Sequence, residues 1–333
     1  MYREEWAEQR TVGVRMREFV ECWGINRCTH TRWLKPVGAK KREHARRIGE
    51  AVIQQVVTID RQYRSSWDAR AIAHVVKISP TTVQSILLEV RGPRPKPAKF
   101  PHTCRTAFLR RDVMWSSDFW DNLPGDRKLI KTLDEMSDYR VGWDGPVAET
   151  AAVVVRHAEG AIQRMGHAPL AWKYDHGTQF TSKLFQELLA DYRIVAYPIP
   201  CRSPWVNGRV ERDHQEIQRW MIPVNADISD EALEKDVDEG MRMLNFIKPR
   251  QCLGYRTSAE VYFTARGIED IDRDAFIRSI EYLKLEMGGR GGEALHRRAV
   301  RLALQQWGLY EEWEVQPREA KFVNRSRGSN VAS

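Results

Sequence analysis

Three carboxylates stand out by their spacing and their neighbours. Asp175 follows the short run AWKY and precedes HGTQF, whose glycine permits a tight turn into a helix. Glu211 lies near the start of NGRVERDHQEIQRW, which has helical spacing, and 35 residues separate it from Asp175. Asp118 falls towards the end of VMWSSDFW, which reads as a strand. If the Asp118 and Asp175 strands are neighbours, a helix packed across them brings Glu211 to the same point. Three such oxygen donors suit Mg²⁺ or Mn²⁺. Two such ions, about 3.5–4 Å apart, suit an in-line phosphoryl displacement. A lone Asp or Glu is usually a solvated charge; the grouping and its flanks argue otherwise here. Asp121, Asp134 and Asp138 are rivals for the first position.

The elements that must hold these residues follow from periodicity. Residues 112–120, 128–133 and 139–143 read as strands, 150–165 as an amphipathic helix and 170–174 as a strand. Residues 181–192 then read as a helix, 194–199 as a strand and 209–221 as a helix. That order implies a mixed sheet with helices packed on it. Residues 230–246, 273–287 and 293–307 read as further helices. The GGRGG run at 288–292 follows no strand, so it reads as a hinge rather than a nucleotide-binding loop.

The first third is different in character. Residues 1–111 carry 23 Lys+Arg against 10 Asp+Glu, whereas residues 112–333 carry 30 against 35. A +13 segment joined to a −5 segment suggests a polyanion-binding half and a carboxylate-gathering half. Two stretches in the basic half read as helix-turn-helix units. In 14–34, Met16, Phe19, Val20 and Trp23 keep helical spacing and Gly24 supplies a turn. In 66–90, Asp68 is a cap, Ile72, Val75 and Val76 share a face, and Ser79-Pro80 starts a second helix. Thr81, Thr82, Gln84 and Ser85 are then the short polar side chains of a recognition helix. Residues 35–47 are a basic linker or phosphate contact, and the proline-rich RGPRPKPAKFP (91–101) marks a boundary. The divisions expected are 1–55, 56–100, 112–225, 226–265 and 266–333, the last ending in a disordered tail.

At 333 residues with 42% hydrophobic and 29% charged content, most of the chain should fold. The longest apolar runs, such as 151–155, fall far short of the roughly 18 residues of a membrane span. Five scattered cysteines and an N-terminus without an apolar core fit a reducing cytoplasm. Cys22, Cys28, His30 and His44 follow no familiar zinc spacing, so buried helical cysteines are the better reading. Leu295, Ala299, Leu302 and Ala303 form an apolar stripe that fits either a second copy or the chain's own core.

The chain resembles bacterial insertion-sequence transposases with the integrase core of retroviral integrases, the DDE group on a ribonuclease H-like fold. The resemblance rests on WSSD at 115–118, LDEMSDYRVGW at 133–143 and YDHGTQFTS at 174–182. It continues in PIPCRSPWVNGRVER at 198–212 and LNFIKPRQCLGYRTSAE at 244–260. Three positions depart from the family pattern: His176 stands where asparagine is usual, Gln251-Cys252 where histidine is common, and Ser258 where proline is common. None of these removes a carboxylate.

The resemblance implies an α+β multidomain chain: N-terminal helix-turn-helix units, a central ribonuclease H-like mixed sheet and a helical C-terminal region. It implies a DNA transposase that binds transposon ends, cleaves a phosphodiester and joins the freed 3′-hydroxyl to target DNA. Asp118, Asp175 and Glu211 would hold two Mg²⁺ or Mn²⁺ ions, while Asn207, Arg209 and Arg212 would contact DNA phosphate. The protein is expected in the cytoplasm on nucleoid DNA, as a homo-oligomer of at least two copies, and away from membranes. Two alternatives remain at this point: a metal-dependent nuclease of the same fold, and a non-catalytic DNA-binding regulator.

Overall fold

The structure is a computed structural model and describes residues 2–24, 29–30, 34, 48–92, 104–200, 208–289 and 291–314. It divides into two compact units, Met1–Glu50 and Ala51–Ser333. In the first, helices α1 (Tyr2–Thr11) and α2 (Met16–Cys22) meet through aromatic rings: Trp6 and Phe19 lie 5.0 Å apart, and Trp6 and His30 4.9 Å. The second helix expected in 14–34, and Cys28 and His44 of the zinc reading, lie largely or wholly outside the described residues.

The second unit opens with α3 (Glu50–Gln62), α4 (Ala69–Val76) and α5 (Pro80–Arg91). The side chain of Asp68 caps α4 by accepting from the Arg70 and Ala71 amides. Ser79 caps α5 by accepting from Thr82, with Pro80 at its first position. The two helices are bent by 119° at a short break, within the range of helix-turn-helix pairs.

A five-stranded mixed sheet forms the centre, in the order β4-β3-β2-β5-β6. Its strands are β2 (Met114–Leu123), β3 (Arg127–Asp134), β4 (Arg140–Asp144), β5 (Ala171–Tyr174) and β6 (Val195–Pro198). β2 runs antiparallel to β3 and parallel to β5. Strand alternation sorts the residues of β2 by face. Trp115 and Phe119 pack with Val154, Ala158 and Ile162 of α6 (Ala151–Met165) and with Phe185 and Leu188 of α7 (Lys183–Asp191). Trp120 points the other way, into a cluster with Ile217 and Trp220 of α8 (Gly208–Met221) and Val237 and Met241 of α9 (Asp230–Phe246). This alternation places Asp118 on the α8 side.

That second cluster runs across the boundary expected between 100 and 112. Val56, Ile72, Val83 and Ile86 of α3–α5, together with Trp67, share it with α8 and α9, so 51–92 is not a separate module. Arg64 binds Asp236 with contacts of 2.7 and 2.6 Å and lies over the Trp220 ring at 4.3 Å. Gly240 of α9 is required where α9 meets α8, because a Cβ there would stand 2.6 Å from Trp220.

The C-terminal helices α11 (Arg273–Glu286) and α12 (Glu293–Gln306) follow α10 (Ser258–Thr264) and cover Met114, Leu170, Ala171 and Val195. Ala299 and Ala303 are fully buried there. Ala299 and Ala303 of the α12 stripe therefore pack on the chain's own core, with Leu302 partly buried against it. Gly288 and Gly289, with φ of +99° and +65°, end α11. A small antiparallel ribbon, β1 (Cys104–Phe108) with β7 (Tyr310–Glu314), was not foreseen from the sequence. Among the described residues, no single helix is long and apolar enough to cross a membrane.

Candidate active site

The parallel register of β2 and β5 pairs Ser116 with Lys173. Asp118 and Asp175 each lie two residues further along, so the register carries both carboxylates to the same sheet end. Asp175 sits just past β5, where its Oδ1 accepts the Gly177 amide at 2.9 Å. That contact tightens the turn towards α7, whose Ser182 cap accepts from Phe185. Glu211 lies exposed in the first turn of α8.

The three carboxylates share an electrostatic field. Burial and then the charge of Asp175 push the Asp118 carboxyl up to about 7; Glu211 adds to the rise and Lys131 opposes it. Among the described residues, no three His, Cys, Asp or Glu side chains stand close enough to hold a metal ion. The donor set still fits a hard divalent cation. It consists of carboxylate oxygens only, and its mutual repulsion is what such a cation relieves.

The rivals for the first position have other roles. Asp134 is fully buried and accepts from the Asp112 amide at 2.8 Å and from the Ser137 amide and hydroxyl at 2.9 and 2.6 Å. It shapes the β3–β4 turn. Asp138 lies 3.0 Å from Arg209, and Asp121 is an exposed partner of Lys128 at 3.4 Å. The charges of both Asp175 and Glu211 raise the Asp118 carboxyl.

The inward side of α8 carries a charge network that the sequence reading missed. Asp213 binds Lys131 of β3 and Arg140 of β4, both fully buried. Glu216 lies 2.7 Å from Arg250 and 3.2 Å from Lys248. Burial opposes ionisation of Asp213, but Arg140, Lys131 and Arg250 outweigh it and hold the carboxyl well below the usual range. The signal was present in the sequence: Val210, Asp213, Ile217 and Trp220 are all buried on one side of α8, so Asp213 interrupts an apolar stripe. An acid at such a position needs buried cations.

The expected DNA contacts divide. Thr81, Gln84 and Ser85 are exposed on α5, whereas Thr82 is half-buried and engaged with Ser79 at 2.9 Å. Arg212 is exposed one residue past Glu211. Arg209, by contrast, is drawn to Glu135 at 3.3 Å and Asp138 at 3.0 Å. It thereby anchors the start of α8, a role that no local pattern around it signals. Asn207 lies outside the described residues. His176 stands 3.4 Å from Glu293 of α12, so the C-terminal helix reaches the residue next to Asp175.

Residues 109–204 match the integrase core domain family. The match covers β2 to β6 and includes Asp118 and Asp175, and it supports a DNA-processing function of the transposase or integrase type. No curated protein matches the chain. Among solved structures, the HTLV-2 integrase catalytic core domain in complex with magnesium is 20% identical. That comparison covers 46% of this chain and 98% of that one, with a TM-score of 0.39. The simian T-cell lymphotropic virus intasome in complex with a PP2A regulatory subunit is 16% identical, covering 63% and 75%, with a TM-score of 0.44. The catalytic core domain of BIV integrase is 19% identical, covering 46% and 94%, with a TM-score of 0.37.

Proposed function

We propose that the protein is a DNA transposase of the insertion-sequence type, a polynucleotidyl transferase that cleaves at element ends and joins them to target DNA. The observation that carries this reading is the shared field of Asp118, Asp175 and Glu211, two of them inside the integrase core match. In this reading the three side chains hold two Mg²⁺ or Mn²⁺ ions. When bound, these supply Lewis acidity at the scissile phosphate and at the oxygens that attack and leave.

The chain's own residues do the rest. β2 and β5 fix two carboxylates in register, and α8 brings the third from the side. Arg212 meets phosphate beside Glu211, and Asn207 is proposed to do the same. Arg209 holds the helix start through Glu135 and Asp138. Helices α4 and α5 form a helix-turn-helix that reads element ends through Thr81, Gln84 and Ser85, with Thr82 shaping the helix start. The basic N-terminal segment adds a second DNA-binding unit.

Joining two ends to one target requires two active sites, so the proposed working form is at least a dimer acting on cytoplasmic, nucleoid-associated DNA. Incubation of the full chain with its element's terminal DNA and Mn²⁺ tests the reading. Joined products support it. Nicked products without joining would favour a nuclease, and binding without cleavage would favour a regulator.

A further inference from the structure

Helix α8 is held from a turn that lies outside the integrase core match. Residues 250–256 close on themselves: the Arg250 amide donates to the Arg256 carbonyl at 3.0 Å, and the Tyr255 amide to the Arg250 carbonyl at 2.8 Å. A short 3₁₀ turn (Gln251–Leu253) and two left-handed residues, Gly254 and Tyr255 with φ of +66° and +64°, complete the fold-back.

This turn has two working sides. On one, Arg250 is 7% exposed and meets Glu216 at 2.7 Å, Asp138 at 3.6 Å and Asp213 at 4.0 Å. It therefore grips two inward carboxylates of α8 and the carboxylate that also anchors Arg209 at the helix start. On the other side, Tyr255 stacks on His74 of α4 with ring centroids 4.5 Å apart and planes 3° from parallel. Gln251 accepts from Arg70, and Lys248, just before the turn, reaches the Ser66 carbonyl at 3.5 Å.

Glu211 is exposed, so no packing of its own fixes where its carboxylate stands. Its position follows that of the helix backbone. The axial position and rotation of α8 are set where Asp213 and Glu216 are gripped, two and five residues on from Glu211. A planar guanidinium with several donors fixes such a geometry better than an ammonium does.

We propose that Arg250 is a positioning residue for Glu211, and that the 250–256 turn links the placement of the α4–α5 helix pair to the catalytic helix. The inference rests on the reading of Glu211 as a catalytic carboxylate. It makes the post-core segment a mechanical link, in which a change in how α4 sits, as when α5 engages DNA, is felt at Glu211 through His74, Tyr255 and Arg250.

Backbone hydrogen exchange of the full-length protein tests this, with Arg250→Met, Arg250→Lys and His74→Ala compared with wild type. Exchange in 208–214 should rise about tenfold in Arg250→Met, a scale typical of lost supporting contacts, and by less in Arg250→Lys. His74→Ala leaves the ion network intact, yet should loosen both 250–256 and 208–214. Exchange in α6 should stay at its wild-type rate in all three. In Arg250→Lys the Mg²⁺ concentration for half-maximal cleavage should rise several-fold, while the KM for DNA holds.

If α8 exchanges no faster than in wild type, or only in step with α6, Arg250 is merely structural and the proposal is overturned. If Arg250→Met does not fold, Arg250→Lys and His74→Ala decide the matter by the same comparison. A wild-type protein that fails to cleave terminal DNA would instead refute the transposase reading and leave the exchange result standing.

Discussion

Lys131 lies directly opposite Asp118 across the β2–β3 pair, and the same fully buried ammonium binds Asp213, two residues past Glu211. One cation thus ties the strand of the first carboxylate to the helix of the third. Burial pushes the Lys131 ammonium down to about 8, against the pull of Asp213. Its value lies in geometry, since a buried pair is weak evidence of net stabilisation.

Lys131→Met should therefore be costly. It leaves Asp213 with Arg140 but without its second buried cation, and removing one member of a buried pair costs about 3–5 kcal/mol. Denaturant unfolding should show a midpoint shift of that order with little change in slope. A loss under about 1 kcal/mol, the range of exposed pairs, would show that the network is solvated rather than buried.

The raised Asp118 carboxyl sets a pH dependence. With its folded value about 7, above the ordinary 3.8, the folded metal-free protein holds an extra proton between those values. This contribution to stability is present at low pH and fades as pH rises through about 7. If a divalent ion binds at the proposed site it has to displace that proton below about 7, so affinity should climb about tenfold per pH unit there and level off above. Mn²⁺ calorimetry at pH 6, 7 and 8 checks this, and Asp118→Asn should abolish the slope. An affinity flat from pH 6 to 8 in wild type would contradict it.

The shared core of α3–α5 with α8 and α9 predicts that residues 1–100 do not make a well-behaved fragment. Cutting there exposes Trp67, Ile72, Val83 and Ile86, and the fragment should aggregate or lose its near-ultraviolet signal. Trp67→Ala in the full chain should cost about 3–5 kcal/mol for the same reason. A soluble, cooperatively unfolding 1–100 fragment would refute the shared core.

DNA binding by the full chain should fall steeply with salt, by about −0.9 in the log–log slope per phosphate neutralised. Gln84→Ala should relax sequence preference more than it weakens non-specific binding, because Gln84 is exposed on α5 away from the packed face. Competition between terminal and random DNA measures the difference. An unchanged preference would remove α5 from recognition.

Much of this was legible in the sequence, because local signals and packing agree there. The helix starts at Ser79, Ser182 and Ser229 carry their own caps, and the strands from 114 to 198 alternate or run apolar as their burial demands. Docking was not legible. Nothing local in RSSWDARAIAHVV says that Trp67 donates to the Met243 sulfur or that Arg64 binds Asp236, since each contact joins residues more than 170 positions apart. Arg209 illustrates the same limit: nothing local to it signals that Glu135 and Asp138 lie beside it. The β1–β7 ribbon pairs segments some 200 residues apart, and neither segment advertises the other.

Cleavage of element-end DNA by carboxylate variants tests the central claim most directly. Full-length wild type, Asp118→Asn, Asp175→Asn, Glu211→Gln and Asp121→Asn are each incubated with that DNA and Mn²⁺, and products are resolved under denaturing conditions. The account predicts nicked and joined strands from wild type and Asp121→Asn. It predicts neither product from the other three, with end binding retained in all, and EDTA should silence the wild type. Cleavage by Glu211→Gln at near wild-type rate, or wild-type cleavage in excess EDTA, would contradict it.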